Sequence, residues 1–129
     1  DERISILEYE LFKGIIGEIE KGSSIIQSIG SRLAAIDVLC SLALVADRNN
    51  YCKPVVDSKG SIVIVNGRHP IVEQIEPGFI PNNTTINPKE MIILTGPNMA
   101  GKSTYMRQIC LIIVLAQMGS FVPADSARV

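Results

Sequence analysis

The chain has 129 residues, 47% of them hydrophobic and 19% charged, with a formal net charge of −1. That length can bury one sizeable core, while 12 basic against 13 acidic residues exclude a large nucleic-acid footprint on these residues alone, because phosphate neutralisation supplies most non-specific affinity. Cys40, Cys52 and Cys110 are too widely spaced for a metal or redox pair. Cys40 and Cys110 are expected as small core residues in a reducing, cytoplasmic setting.

The first residues are charged, lack a Met and carry no signal peptide, so they read as the interior of a longer protein. Over residues 2 to 21, Ile4, Leu7, Leu11, Ile15 and Ile19 recur at steps of three and four, which predicts an amphipathic helix. Gly14 and Gly17 weaken it by about 1 kcal/mol each. Lys21-Gly22-Ser23-Ser24 is expected to break it, with Ser23 or Ser24 capping a second helix from about Ile25 to Asp47. There Ile25, Ile29, Leu33, Ile36 and Leu39 keep a near-heptad rhythm, which suits long antiparallel helices packed side by side. Arg48-Asn49-Asn50 ends this block.

At Tyr51 the pattern changes to β-branched residues and turns, placing a domain boundary near residues 49 to 54. A helical segment over 1–50 and an α/β domain over 51–129 are therefore expected. Ser61 to Val65 predicts a strand after the turn Asp57-Ser58-Lys59-Gly60. The single histidine, His69, is expected to make a structural hydrogen bond, and Arg68 and Glu73 are each expected to serve in ion pairing at the level of the domain. Glu76 to Glu90 reads as a turn-rich connector. Met91 to Thr95 is a short apolar run expected as a strand buried on both faces. A helix is expected from Gly101 or Lys102 to about Met118, with Gly119 as its stop. The longest unbroken apolar run, Ile109 to Ala116, is far short of the roughly 20 residues that span a bilayer, so no membrane segment is expected.

Between that strand and that helix, Gly96 to Ser103 fits G-x-x-x-x-G-K-[ST], and strand-then-helix is the context this pattern requires. Glycines at 96 and 101 allow close backbone approach, so that successive N–H groups converge on phosphate oxygens. The helix N-terminus adds unpaired donors and a positive dipole end. Lys102 then faces the terminal phosphates and the Ser103 hydroxyl is a ligand for Mg²⁺. Pro97, Asn98, Met99, Ala100 and Thr104 complete the candidate nucleotide-binding loop. Hydrolysis needs a carboxylate near the metal. After Ser103 the only carboxylate is Asp125, expected in a turn or cap.

The stretch Thr95-Gly96-Pro97-Asn98-Met99-Ala100-Gly101-Lys102-Ser103-Thr104-Tyr105-Met106-Arg107-Gln108 resembles the MutS family of DNA mismatch-repair ATPases. So do Asn66-Gly67-Arg68-His69-Pro70 before it, Phe79-Ile80-Pro81-Asn82-Asn83, and Leu115-Ala116-Gln117-Met118-Gly119-Ser120 after it. The likeness runs over essentially the whole chain, and Asn98-Met99 favours the mismatch-recognising bacterial branch. It implies an α/β fold: lever-type helices followed by the first part of an ABC-type P-loop ATPase domain, a mixed sheet with flanking helices. It implies ATP or ADP with Mg²⁺ as cofactors, Phe79 and Ile80 as the adenine-contacting pair, and Asn98 directed at the phosphates. Mismatched double-stranded DNA, a second copy of the chain and downstream mismatch-repair proteins are the partners implied, in a cytoplasmic, nucleoid-associated setting. The family's mismatch-reading wedge, clamp helices, metal-binding carboxylate strand and signature loop have no counterpart in these residues. The alternatives are an ABC-type ATPase of another DNA-maintenance pathway and a nucleotide-binding module without catalysis.

Overall fold

In the computed structural model, which describes residues 2–129, the elements run α1 (Glu2–Arg48), β1 (Ile62–Gly67), α2 (Val72–Ile75), β2 (Asn82–Ile86), α3 (Lys102–Gln117) and β3 (Ser126–Arg128). Helices and a small antiparallel sheet make the fold mixed α/β. The chain divides into two compact units, one ending at Cys40 and the other spanning Ser41–Val129.

α1 corrects the expectation of two antiparallel helices, because it is a single helix of 47 residues. Gly22, Ser23 and Ser24 lie inside it. An interior glycine costs about 1 kcal/mol. A break would instead create two new ends, each leaving four backbone groups without helical partners, and residues 2 to 48 hold no proline to force one. The expected stripe of Ile4, Leu7, Leu11, Ile15 and Ile19 is exposed. Cys40 is exposed as well, where a core position was expected. Among the described residues α1 is the one helix long and apolar enough to cross a membrane by length and composition, a test that a core helix of a soluble protein also passes.

In Ser41–Val129 the sheet order is β2-β1-β3. β1 pairs antiparallel with β2 (Ile62 with Ile86, Ile64 with Thr84) and with β3 (Ile64 with Ala127). The expected mixed sheet is represented only by a single parallel bridge between Val55 and Arg128. Ile64, Ile112, Ala116, Val122, Ala124 and Ala127 form the core. From α3, the buried residues Gln108, Ile112 and Ala116 fall four apart, so one stripe of the helix faces inward. Cys110 sits two residues from Gln108 and Ile112, about half a turn round the helix, and is therefore exposed where a core position was expected.

Two further expectations fail for want of pairing. Met91 to Thr95 forms no strand, and Met91 and Ile93 are 84% and 77% exposed. An extended run needs a neighbouring ladder to satisfy its N–H and C=O groups, and none lies beside it among the described residues. β2 arises inside the supposed connector, where Thr84, Thr85 and Ile86 supply β-branched side chains against β1. β3, three residues long, carries too little pattern to be read in advance.

Candidate functional site

The loop before α3 owes its shape to backbone signs. Gly96 (φ 149°), Met99 (φ 63°) and Gly101 (φ 82°) all lie at positive φ, a region glycine enters without steric cost and other residues rarely visit. Gly101 stands at the N-cap position with no side chain capping the helix, so the first N–H groups of α3 remain free to meet an anion. Lys102 folds back over the loop: its Nζ donates to the carbonyl oxygens of Gly96 and of Pro97, the latter at 2.5 Å. A compact cation is thus held over the loop beside an uncapped helix N-terminus, a set suited to phosphate.

A cleft of about 650 Å³ opens beside this loop. Gly96, Pro97, Ala100, Gly101, Lys102 and Thr104 of the loop line it, as does Phe79. Val72, Asn82, Asn83, Tyr105 and Gln108 are further lining residues. Asn98, Met99 and Ser103 are exposed on the loop outside that lining, and Ile80 is 78% exposed with its side chain off the cleft. The structure therefore groups Phe79 with most of the loop and leaves Ile80 aside. Among the described residues no cluster of three or more His, Cys, Asp or Glu side chains could hold a metal ion. Asp125 lies just before β3, where its Oδ2 accepts from Asn66 Nδ2 at 2.7 Å, a turn role as expected.

The wall residues escaped the sequence reading. Tyr105 shares a hydroxyl hydrogen bond with Thr84 at 2.9 Å and so ties the first turn of α3 to β2. Gln108 is fully buried, and neither its Nε2 nor its Oε1 has a hydrogen-bond partner. A glutamine four residues before Ile112, on the inward stripe, was the available signal.

A second polar cluster lies on β1 and α2. Arg68 Nε donates to Glu73 Oε2 at 2.7 Å, with both side chains largely buried. Tyr51 donates its hydroxyl to Glu73 Oε1 at 3.2 Å. His69, buried, accepts the N–H groups of Ile71 and Val72 on Nδ1 at 3.3 Å each, and its carbonyl accepts from Glu73 N at 3.0 Å. It anchors the start of α2, the structural role its lone position suggested. Burial first, then the negative charge of Glu73, pushes the Tyr51 phenol up to about 12. A raised phenol favours the protonated form when folded, so its stabilisation is full below the unfolded value near 10 and disappears as pH rises through about 12. Parent protein is expected to lose stability across that interval more steeply than Tyr51→Phe, as measured by urea midpoints at pH 9 to 12. Identical pH profiles would show that the phenol is not held by Glu73.

Comparison with known proteins places these features. Residues 92–129 match the family model described as MutS domain V. Over the whole chain the sequence is 53% identical to the DNA mismatch repair protein MutS of Ruminiclostridium cellulolyticum, with 15% of that protein covered. It is 50% identical to DNA mismatch repair protein MutS 2 of Halobacterium salinarum (99% of the chain, 15% of the relative). It is 52% identical to DNA mismatch repair protein MutS of Caldanaerobacter subterraneus subsp. tengcongensis, again over the whole chain and 15% of the relative. The chain thus spans about 15% of the length of the curated relatives it matches.

Proposed function

The chain belongs to the MutS family, and from that premise we propose that its Gly96–Ser103 loop binds the phosphates of ATP or ADP within a DNA mismatch-repair protein. Residues 1–50 serve as a lever or connector segment and 51–129 as the first part of a P-loop ATPase domain. What carries the reading is the uncapped N-terminus of α3 opening, with Lys102 at its mouth, onto a cleft that also holds Phe79.

A nucleotide of cleft size meets complementary chemistry at both ends. Phosphate oxygens take the free N–H groups of the loop and of the first turn of α3. Lys102 Nζ exchanges the Gly96 and Pro97 carbonyls for phosphate oxygens, a stronger charged pairing for the same donor. Ser103 is the residue that holds Mg²⁺, which supplies charge neutralisation at the outer phosphates. The Phe79 ring, half-buried in the cleft lining, offers a face on which a purine stacks, and Asn98 is directed at the phosphates. In the full-length protein, nucleotide binding favours pairing of two ATPase domains. It changes the hold on mismatched double-stranded DNA, in a cytoplasmic setting with downstream repair proteins as partners. The apolar stripe of α1 is then a core stripe and not a membrane anchor.

The test is a titration of the full-length protein with a fluorescent ATP analogue, with and without Mg²⁺. Saturable binding tightened by the metal is expected, and its absence overturns the proposal. A nucleotide-binding module without catalysis is the second reading for these residues by themselves, favoured by Asp125 being engaged by Asn66. The 129-residue chain incubated alone with ATP and Mg²⁺ is accordingly expected to release no phosphate above background. Robust turnover would require a catalytic carboxylate among residues assigned other work.

A further inference from the structure

We propose that Arg68, Glu73 and Tyr51 form a latch that positions the Phe79 end of the cleft against the C-terminal end of α1, so that they act as positioning residues for the base of the nucleotide. The inference rests on the nucleotide reading of the cleft and adds a control element to it.

The latch starts where α1 stops. Asn50 (φ 51°) takes the left-handed conformation, Tyr51 N–H reaches back to the carbonyl of Ala46 at 2.9 Å, and Asn50 N–H to that of Asp47 at 3.4 Å. This is the Schellman arrangement, with asparagine where glycine is commoner. It leaves the carbonyls of Asn49 and Asn50 pointing outward at the negative end of the helix dipole. Arg68 Nη2 donates to both, at 2.9 and 3.2 Å, while its Nε holds Glu73. Gln74 adds a hydrogen bond from Nε2 to Asn49 Oδ1 at 2.8 Å, and the Arg68 guanidinium lies 5.9 Å from the Tyr51 ring centre. Both carboxylate oxygens of Glu73 are therefore engaged, one by Arg68 and one by Tyr51.

The other end of the latch is the cleft. Glu73 is preceded by Val72, which lines the cleft directly. The Val72 carbonyl accepts from Glu76 N at 2.8 Å, and the Glu76 carbonyl accepts from Phe79 N at 3.0 Å. Two backbone hydrogen bonds thus separate the latch from the residue that carries the ring. With side chains only 18% and 12% exposed, the Arg68–Glu73 pair is little screened, and removing one partner strands the other charge. None of the hydrogen bonds in this path is made to Gly96–Ser103. Breaking the latch disturbs the Phe79 end and spares the phosphate end.

That asymmetry defines the experiment. In the full-length protein, Arg68→Met and Tyr51→Phe are titrated with ATP and, separately, with inorganic tripolyphosphate, both in Mg²⁺. Arg68→Met is expected to weaken ATP binding about tenfold, Tyr51→Phe about threefold, the scale of lost hydrogen bonds to charge. Tripolyphosphate affinity is expected to stay within about twofold, and Arg68→Lys to recover part of the ATP loss by restoring charge without the planar fork. Should ATP and tripolyphosphate weaken in parallel, the cluster merely holds the fold and the latch is wrong. Unchanged ATP binding in both variants overturns it as well. If the parent binds neither ligand, the nucleotide reading itself fails, an outcome distinct from either.

Discussion

Replacing Lys102 with alanine in the full-length protein is expected to weaken Mg²⁺-ATP binding by about a hundredfold, equivalent to about 3 kcal/mol for a charge-assisted contact. The side chain has no substitute. Among the described residues of the cleft lining it is the only cation, and the remaining loop donors are uncharged. The same change should cost little stability, because Lys102 Nζ bonds only carbonyls of an exposed loop. Binding and folding therefore separate cleanly: affinity falls while the urea midpoint moves by no more than the equivalent of about 1 kcal/mol. Salt gives a second reading, since the parent's affinity should fall more steeply with ionic strength than the variant's. Initial binding to mispaired DNA should persist in the variant, and release of that DNA by ATP should be lost. Affinity within threefold of the parent would show that this loop does not carry the phosphates.

What the sequence disclosed about this site follows from how local each feature is. The loop and α3 depend on glycine positions and on a four-residue stripe, all contained in residues 96 to 117, so spacing alone located them. Met91 to Thr95 read as a strand with equal local clarity and is exposed coil, because a strand is completed by neighbours and not by its own residues. α1 was misread in the opposite direction: glycine and serine looked like a break, but a long hydrogen-bonded ladder tolerates them. That Arg68 and Glu73 serve in ion pairing was legible from residue type, and the fold shows that they pair with each other. The extension of that pair to the Asn49 and Asn50 carbonyls was not legible, since that requires knowing that α1 ends beside β1. Gln108 was hidden for a related reason. A polar residue on an apolar stripe is a visible anomaly, yet only the fold shows that it closes the wall of the cleft.

Gly67 packs closely against Gln108 of that wall, and Gly67→Ala is expected to destabilise the protein by about 1–3 kcal/mol through overpacking. Gly67 ends β1, opposite Asn82, just past the register shift that follows Ile64. Its φ is not positive, so any cost arises from packing and not from backbone strain. A Cβ placed there would lie 2.8 Å from Ile64 Cγ2, 2.9 Å from Gln108 Nε2 and 3.3 Å from the Asn82 carbonyl oxygen. Ile64 is 1% exposed and Gln108 0%. Neither can swing into solvent, and β2 would have to give on the third side. Urea unfolding should show a lower midpoint with an unchanged slope. Pairing the change with Gln108→Ala tests the mechanism: if the new methyl collides with the amide, the double variant should regain about 1 kcal/mol over the sum of the singles. Gln108 also lines the cleft that holds Phe79, so the surviving folded fraction of Gly67→Ala should bind ATP more weakly while keeping its affinity for tripolyphosphate. A neutral effect on the midpoint, within about 0.5 kcal/mol, would mean that β1, β2 and α3 are looser at this junction than their separations indicate. The junction could then not hold the Phe79 wall in place for a base.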